Sequence, residues 1–324
     1  MILSRVLAGL FGAGVHFRNQ LYDRGRRQVR ELRGPVISIG NLSVGGSGKT
    51  PLVILLGELL KQRGIEFDIL SRGYGRATAG VRLVHPDGQA REFGDEPLLI
   101  ARRLGVPVVV GESRYAAGIE AENRWGPRLH LLDDAFQHRH LARQFDIVLV
   151  TPDDFRDALL PAGRLREPLA ALARADAVAL TGEPPAGAPT LPVDHTWRIT
   201  RTLRLDHPPA QPVAFCAIGR PQKFFAQLRE AGVNAAAELV FPDHHRYSES
   251  DIRHLLASAE SNHADGFVAT EKDAVNLGAL SEKLTPLSVA KLETSLDNAD
   301  AVLDTILATL KRRGKPVHEK IPLA

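Results

Sequence analysis

At 324 residues the chain is longer than one hydrophobic core usually supports, so a division into two units is expected. With 44% hydrophobic and 24% charged residues it is neither a disordered nor a low-complexity chain. Its 41 basic against 38 acidic side chains leave only +3, no electrostatic ground for nucleic-acid binding, and the single cysteine, Cys216, excludes an intramolecular disulfide.

The first segment, Met1 to Phe17, is mostly apolar but is interrupted by Arg5 and His16. It is short for a bilayer span of about 20 residues. A secretory signal is ranked last of the readings of this segment. On a helix, Leu3, Leu7, Leu10, Gly14, Phe17 and Leu21 form one apolar stripe. Arg18, Arg24, Arg26, Arg27, Arg30 and Arg33 come next, against only Asp23 and Glu31. Two readings stand level here: an interfacial helix on an anionic membrane surface, or a first helix packed on the protein's own core with a solvated basic end.

Val36–Ile39 is a β-branched run leading into a glycine-rich turn, and Pro51–Gln62 then has helical spacing. Further strands are expected at Phe67–Leu70, Val106–Val110, Leu129–Leu132, Asp146–Val150 and Ala177–Leu180, with helices at Glu96–Leu104 and Tyr115–Arg124. Such alternation implies a parallel sheet covered by helices. Val81–Val84 and Ala90–Phe93 flank Asp87-Gly88 and suggest a projecting hairpin. Pro/Gly-rich stretches at 183–192 and 207–212 mark a boundary. Beyond it, strands at Val213–Ile218, Ala237–Phe241, Gly266–Thr270 and Leu287–Lys291 alternate with helices at Lys223–Ala231, Ser250–Ala259 and Asp300–Arg312. The expected fold is α/β: an N-terminal helix and basic segment (1–33), a P-loop NTPase-like parallel sheet with flanking helices (34–190), a linker (191–212) and a smaller α/β unit (213–324).

Gly45-Gly46-Ser47-Gly48-Lys49-Thr50 follows a strand and opens a helix, the context a phosphate loop requires. Glycines let backbone N–H groups crowd around phosphates, the helix N-terminus adds positive potential, Lys49 reaches the β- and γ-phosphates, and the Thr50 hydroxyl can hold Mg²⁺. Ser43 stands where the strict pattern asks for glycine. Leu129-His-Leu-Leu-Asp-Asp134 is an apolar strand delivering carboxylates, one of which, Asp133 or Asp134, is expected to coordinate Mg²⁺. Thr270-Glu-Lys-Asp273 has the wrong spacing for the base-recognition element of a GTPase, and Val44 stands where partitioning-type ATPases carry a second lysine. GTP is therefore disfavoured, and the partitioning-type ATPase reading also loses ground.

With these residues placed, the chain resembles the tetraacyldisaccharide 4′-kinase family of lipid A biosynthesis. The matching stretches are Ile39-Gly-Asn-Leu-Ser-Val-Gly-Gly-Ser-Gly-Lys-Thr-Pro51, Ser71-Arg-Gly-Tyr-Gly75, Gly94-Asp-Glu-Pro97, Leu132-Asp-Asp-Ala-Phe-Gln-His138, Leu165-Arg-Glu-Pro168, Asp243-His244 and Thr270-Glu-Lys-Asp-Ala274. Only the phosphate loop is specific by itself; the ordered set is what identifies the family. Ala135 replaces an expected glycine, and Asn276 stands where lysine is expected.

The resemblance implies transfer of the ATP γ-phosphoryl group to the 4′-hydroxyl of an acylated glucosamine disaccharide 1-phosphate. The expected place is the cytoplasmic face of a bacterial inner membrane, reached peripherally or by shallow insertion. By the same resemblance Asp95 is the expected base, oriented by a histidine of the Asp243-His244 pair or its neighbour His245, while Arg166 and Glu167 support phosphate and metal. An N-cap role for Asp95 and a surface ion pair for Arg166 and Glu167 are the bland alternatives. A metal cluster of His138, His140, His244 and His245 is disfavoured, because it leaves Lys49 unexplained. No nucleic acid and no obligate protein partner is indicated. The competing functional reading is a membrane-recruited nucleotide switch without a small-molecule acceptor.

Overall fold

The computed structural model describes residues 2–46, 48–315 and 317. The chain opens with α1 (Ile2–Asp23), then runs through β1 (Val36–Asn41), α2 (Lys49–Gln62), β2 (Phe67–Ser71), β3 (Arg82–Leu83), α3 (Ala90–Phe93) and α4 (Asp95–Leu104). It continues with β4 (Val108–Val110), α5 (Arg114–Trp125), β5 (Leu129–Asp133), β6 (Phe145–Val150), β7 (Ala177–Thr181) and β8 (His195–Arg204). The remainder is β9 (Val213–Cys216), α6 (Pro221–Glu230), β10 (Ala237–Val240), α7 (Glu249–Ser261), β11 (Phe267–Thr270), α8 (Glu271–Leu277), β12 (Leu287–Leu296) and α9 (Ala299–Arg312).

These strands form one twelve-stranded sheet in the order β10-β9-β11-β12-β8-β7-β6-β1-β5-β2-β4-β3. Pairing is parallel except at β3–β4 and at β8–β12. β1 is buried at every position, as a central parallel strand covered on both faces must be. On one face α2 presents Leu52, Val53, Leu56 and Leu60 to the core, each fully buried aliphatic stabilising the fold by roughly 1.5–3 kcal/mol. On the other face α5 contributes Ala117 and Ala121, packed with Leu32 and Leu132.

Two parallel halves thus meet at an antiparallel seam. β8 and β12, ten residues each, pair from Arg204↔Lys291 to Ile199↔Leu296. β8 lies inside the stretch expected as a linker, and its alternating exposure matches a strand whose two faces differ. After β12 the chain returns to the first half, where Val302, Leu303, Ile306 and Leu310 of α9 join the core that α2 and α4 also fill.

The expected hairpin is not formed. β3 pairs with β4, and Ala90–Phe93 is a helical turn whose Phe93 side chain is buried. The turn at Asp87-Gly88 exists, closed by Gly88 N–H to His85 O at 2.8 Å, but the residues after it bury one aromatic on a helical face instead of extending.

α1 leaves much of its apolar stripe uncovered: Leu3 is 71%, Leu10 67% and Phe17 64% exposed, whereas Ala8 and Val15 are buried. Among the described residues no helix is long and apolar enough to cross a membrane.

Candidate active site

β1 lies between β5 and β6, so the loops at the carboxyl ends of these strands open into one crevice, where open α/β sheets bind ligands. The phosphate loop leaves β1 there. Gly48 caps α2 with φ +82°, a left-handed conformation that favours glycine, and the tip of Arg201 packs against it. Ser47 lies outside the described residues. Gly45, Gly46, Gly48, Lys49 and Thr50 all line the crevice. The Lys49 ammonium donates to Asn41 Oδ1 at 3.1 Å and lies 3.5 Å from Asp134. Buried Asn41 in turn donates to Ser43 O at 2.7 Å, fixing the start of the loop.

β5 delivers the paired aspartates. Asp133 ends the strand with Ser71 Oγ donating to its Oδ2 at 3.1 Å, while Oδ1 is buried without a hydrogen-bond partner. Burial, reinforced by the charges of Glu96 and Asp134, pushes the Asp133 carboxyl up to about 7. Asp134 takes a left-handed φ of 48°, which aspartate tolerates, and turns back toward the cations. Burial opposes its ionisation, but Lys49 and Arg166 outweigh it and hold Asp134 down at about 2. Arg166 donates to Asp134 at 2.8 and 3.2 Å and also to Asn41 Oδ1.

Glu167 is not brought to this group. Leu165 is bridged to Ser43 beside the phosphate loop, with Arg166 N–H on Leu42 O at 2.6 Å, and the chain bends at Arg166 and Glu167. Arg166 lines the crevice, while the fully buried Glu167 accepts from Asn19 at 2.7 Å and pairs with Arg174 at 3.1 Å, tying α1 to the body.

Across the crevice stands a second constellation. Gly94 sits at φ +92°, where a Cβ would come within 3.0 Å of Tyr74 O; this permits α3 to pass directly into α4 and places Asp95 in its first turn. Asp95 accepts from Glu96 N–H at 2.9 Å, from Asn276 at 3.2 Å, and pairs with His244 Nδ1 at 2.9 Å. His244 has a left-handed φ of 59° and donates its backbone N–H to Ala217 O at 3.2 Å. His245 points elsewhere, to Asp251 at 3.1 Å. The hydrogen bond to Asp95 raises the His244 pKa. Burial would raise that of Asp95, but His244, Lys272 and Asn276 together lower it. Asp95 is only 4% exposed, and it is His244 that lines the crevice.

The crevice encloses about 1160 Å³ between the two halves of the sheet. Three of its residues escape a reading of the sequence. Lys272 of α8 lies 3.3 Å from His244 Nε2 and 3.5 Å from Asp95; its place within the Thr270–Ala274 stretch is the available signal. Arg201, on β8 at the seam, and Arg220 before α6, in the other half, reach the phosphate loop, with no local pattern to announce them. The rings of His138 and His140 lie 3.6 Å apart in the wall. Among the described residues no group of three or more His, Cys, Asp or Glu is placed to hold a metal.

A nucleotide switch needs a phosphate loop and aspartates but has no use for a carboxylate–histidine pair across the crevice. The arrangement belongs to the P-loop phosphotransferases that act on a hydroxyl. The sequence matches the family model of tetraacyldisaccharide-1-P 4′-kinase over residues 1–311. It is 51% identical over 318 residues to the tetraacyldisaccharide 4′-kinase of Koribacter versatilis, covering 95% of this chain and 98% of the relative. That of Geobacter metallireducens is 39% identical over 318 residues, covering 91% of this chain and 94% of the relative. A crystal structure of the "apo" form of LpxK from Aquifex aeolicus in complex with ATP superposes with a TM-score of 0.77 at 33% identity, covering 94% of this chain and 97% of that one. The chain belongs to the tetraacyldisaccharide-1-P 4′-kinase family.

Proposed function

We propose that this crevice transfers the γ-phosphoryl group of ATP to the 4′-hydroxyl of an acylated glucosamine disaccharide 1-phosphate, the lipid A precursor. The observation that carries the site assignment is the placement of two groups in one crevice: Lys49, Asp134 and Arg166 on one wall, and His244, backed by Asp95, on the other. The switch reading finds no support, since the relatives are named as kinases.

The backbone N–H groups of the loop and the start of α2 receive phosphate oxygens, and Lys49 and Arg166 supply charge where it develops in the transition state. An all-oxygen set fits Mg²⁺: the Thr50 hydroxyl, the Asp133 carboxylate with its unpartnered Oδ1, and Asp134. When bound, Mg²⁺ neutralises β- and γ-phosphate charge. Asp95 and His244 act as one base. Asp95 holds the imidazole Nδ1–H, and Nε2, 3.3 Å from the Lys272 ammonium, exchanges that contact for the hydroxyl proton as the hydroxyl oxygen bonds to the γ-phosphorus and the bond to the departing ADP oxygen breaks. The sequence points to Asp95 as the group that meets the hydroxyl; its burial behind the ring supports the pair as the unit, with His244 in front.

The uncovered apolar face of α1 and the arginines that follow support peripheral attachment to an anionic membrane, and Arg18 and Tyr22 at the end of α1 line the crevice. The direct test is incubation with ATP, Mg²⁺ and an extracted disaccharide 1-phosphate lipid, followed by mass analysis. One added phosphate in the lipid, absent with Lys49→Ala, is the expected result; ATP consumption without a phosphorylated lipid contradicts the proposal.

A further inference from the structure

α8 opens at Glu271 under a cap in which Thr270 Oγ1 accepts from Asp273 N–H at 3.2 Å. The Asp273 carboxylate turns inward, fully buried, and accepts from Ala217 N–H at 2.8 Å and from the Tyr247 hydroxyl at 2.9 Å. Ala217 is also the residue whose carbonyl receives the His244 N–H, so the first turn of α8 and the His244 backbone are set against one residue. Lys272, next to Asp273, faces the crevice instead. Its ammonium lies 3.3 Å from His244 Nε2, 3.5 Å from Asp95 Oδ2, 3.6 Å from Glu96 and 3.6 Å from Asp243. Asn276, four residues on along the same helix face, donates to the same Asp95 Oδ2 at 3.2 Å.

An ammonium has donors only, so its contact with Nε2 needs a lone pair there, which leaves the ring proton on Nδ1, facing Asp95. Both ends of the ring thus specify one neutral tautomer. The groups facing the ring are Asp95 from α4, Lys272 from α8, Asp243 beside it at 3.9 Å, and the Tyr74 ring from the loop after β2 with centroids 5.0 Å apart. The Asp95 hydrogen bond draws the imidazole toward protonation, while burial and the Lys272 charge oppose it. Lys272 itself stays charged: burial works against the ammonium, but Glu96, Asp95 and Asp243 outweigh it. Without that cation the ring would be drawn further toward imidazolium, which has no lone pair to accept a hydroxyl proton.

We propose that Lys272 is a positioning residue for the base: it keeps the His244 ring in the neutral tautomer, with the Nε2 lone pair held ready until the acceptor hydroxyl takes the place of the ammonium. The role rests on the phosphoryl transfer proposed above. When the hydroxyl arrives, the ammonium stays on Glu96 and Asp243, already within 3.6 Å, so leaving Nε2 strands no buried charge. The hydroxyl proton passes to Nε2, and Lys272 keeps its own three.

The competing role for Lys272 is a plain ion pair tying α8 to α4, as Glu271 does with Arg103. The full-length protein is compared as wild type, Lys272→Met, Lys272→Gln, Lys272→Arg and Glu271→Gln, with melting temperatures recorded for each. Two readouts are taken: the ring-nitrogen NMR signals of His244 against pH with no acceptor present, and kcat and kcat/KM against pH with ATP, Mg²⁺ and the extracted disaccharide 1-phosphate lipid. The wild-type ring is expected as the Nδ1–H tautomer. Lys272→Met and Lys272→Gln should raise its titration midpoint by about one pH unit and carry the kcat/KM limb up with it, so that activity falls about 10-fold below the limb and little above it. The kcat limb should move less, because with acceptor bound the hydroxyl already occupies Nε2. Lys272→Arg and Glu271→Gln should keep the wild-type midpoint. An unshifted midpoint in the neutral variants, a kcat/KM loss equal at every pH, or the same shift in Glu271→Gln would overturn the proposal in favour of the ion pair, as would an Nε2–H tautomer in the wild type. If Lys272→Met does not fold, Lys272→Gln decides on the same comparison. A wild type that leaves the lipid unphosphorylated would remove the transfer itself and this role with it, whatever the ring titration shows.

Discussion

Asp95 at the start of α4 and His244 in the loop before α7 are 149 residues apart in sequence and meet at 2.9 Å. They come from opposite halves of the sheet, so the pair proposed as the base exists only when the halves face each other across the crevice. Asp95→Ala and His244→Ala are each expected to lower kcat by roughly 10²–10⁴-fold with little change in ATP affinity. The double variant should be little worse than either single one, since paired groups are non-additive, and His245→Ala should be mild. Steady-state kinetics with ATP and lipid acceptor decide it; multiplicative losses would mean that the two residues do not act as a pair.

The same contact sets a pH dependence. His244 has a raised pKa, and the base requires the neutral ring, so kcat/KM should rise with pH through a limb above the ordinary histidine value of about 6.5. Asp95→Asn removes the cause of the shift and should move the limb downward while reducing the rate. For stability the signs differ by partner. The raised His244 contributes stability that is complete below about 6.5 and lost as pH climbs through its folded value; the depressed Asp95 contributes above about 3.9 and loses it as pH falls. Thermal denaturation of wild type against Asp95→Asn should therefore show its largest difference between about pH 4 and 6.5. A difference independent of pH would argue against the ion pair.

Asp133 and Glu167 should separate in their response to Mg²⁺. With the Asp133 carboxyl near 7, protons compete with the metal around neutrality, so stabilisation by Mg²⁺ should grow from pH 6 to pH 8 and vanish in Asp133→Asn. Glu167→Gln should leave the Mg²⁺ response intact. It should instead destabilise the fold, toward the roughly 3–5 kcal/mol that follows from breaking a buried ion pair, by leaving Arg174 and Asn19 without their carboxylate. Thermal shifts with and without EDTA report both; loss of the Mg²⁺ response in Glu167→Gln would restore it as a ligand.

Membrane attachment is expected to depend on the exposed face of α1. Deleting residues 1–20, or replacing Leu10 and Phe17 by Ser, should reduce co-sedimentation with anionic vesicles, and added salt should weaken wild-type binding because the following arginines act through a screened field. Unchanged partitioning in both variants would leave α1 as a packing element only.

The sequence by itself determined the parts whose chemistry is contiguous. Strand, glycine loop and helix from Val36 to Gln62 are read from local spacing, because backbone N–H groups, Lys49 and Thr50 must be consecutive to surround a phosphate. The same holds for Asp133 and Asp134 at a strand end, and for the alternation that implied a parallel sheet. Tertiary structure decided whatever depends on which side a residue faces or what crosses the chain. His244 rather than His245 reaches Asp95 because its backbone is held left-handed against Ala217. Glu167 turns away from the crevice because Asn19 of α1 and Arg174 meet its carboxylate in the interior, partners that no motif encodes. β8 escaped notice between two proline-rich stretches, and it is the strand that, paired antiparallel with β12, joins the halves. Arg220 lies against Gly46 of the phosphate loop only through the fold: the two are more than a hundred positions apart, and the chain carries no local preference that could announce the contact.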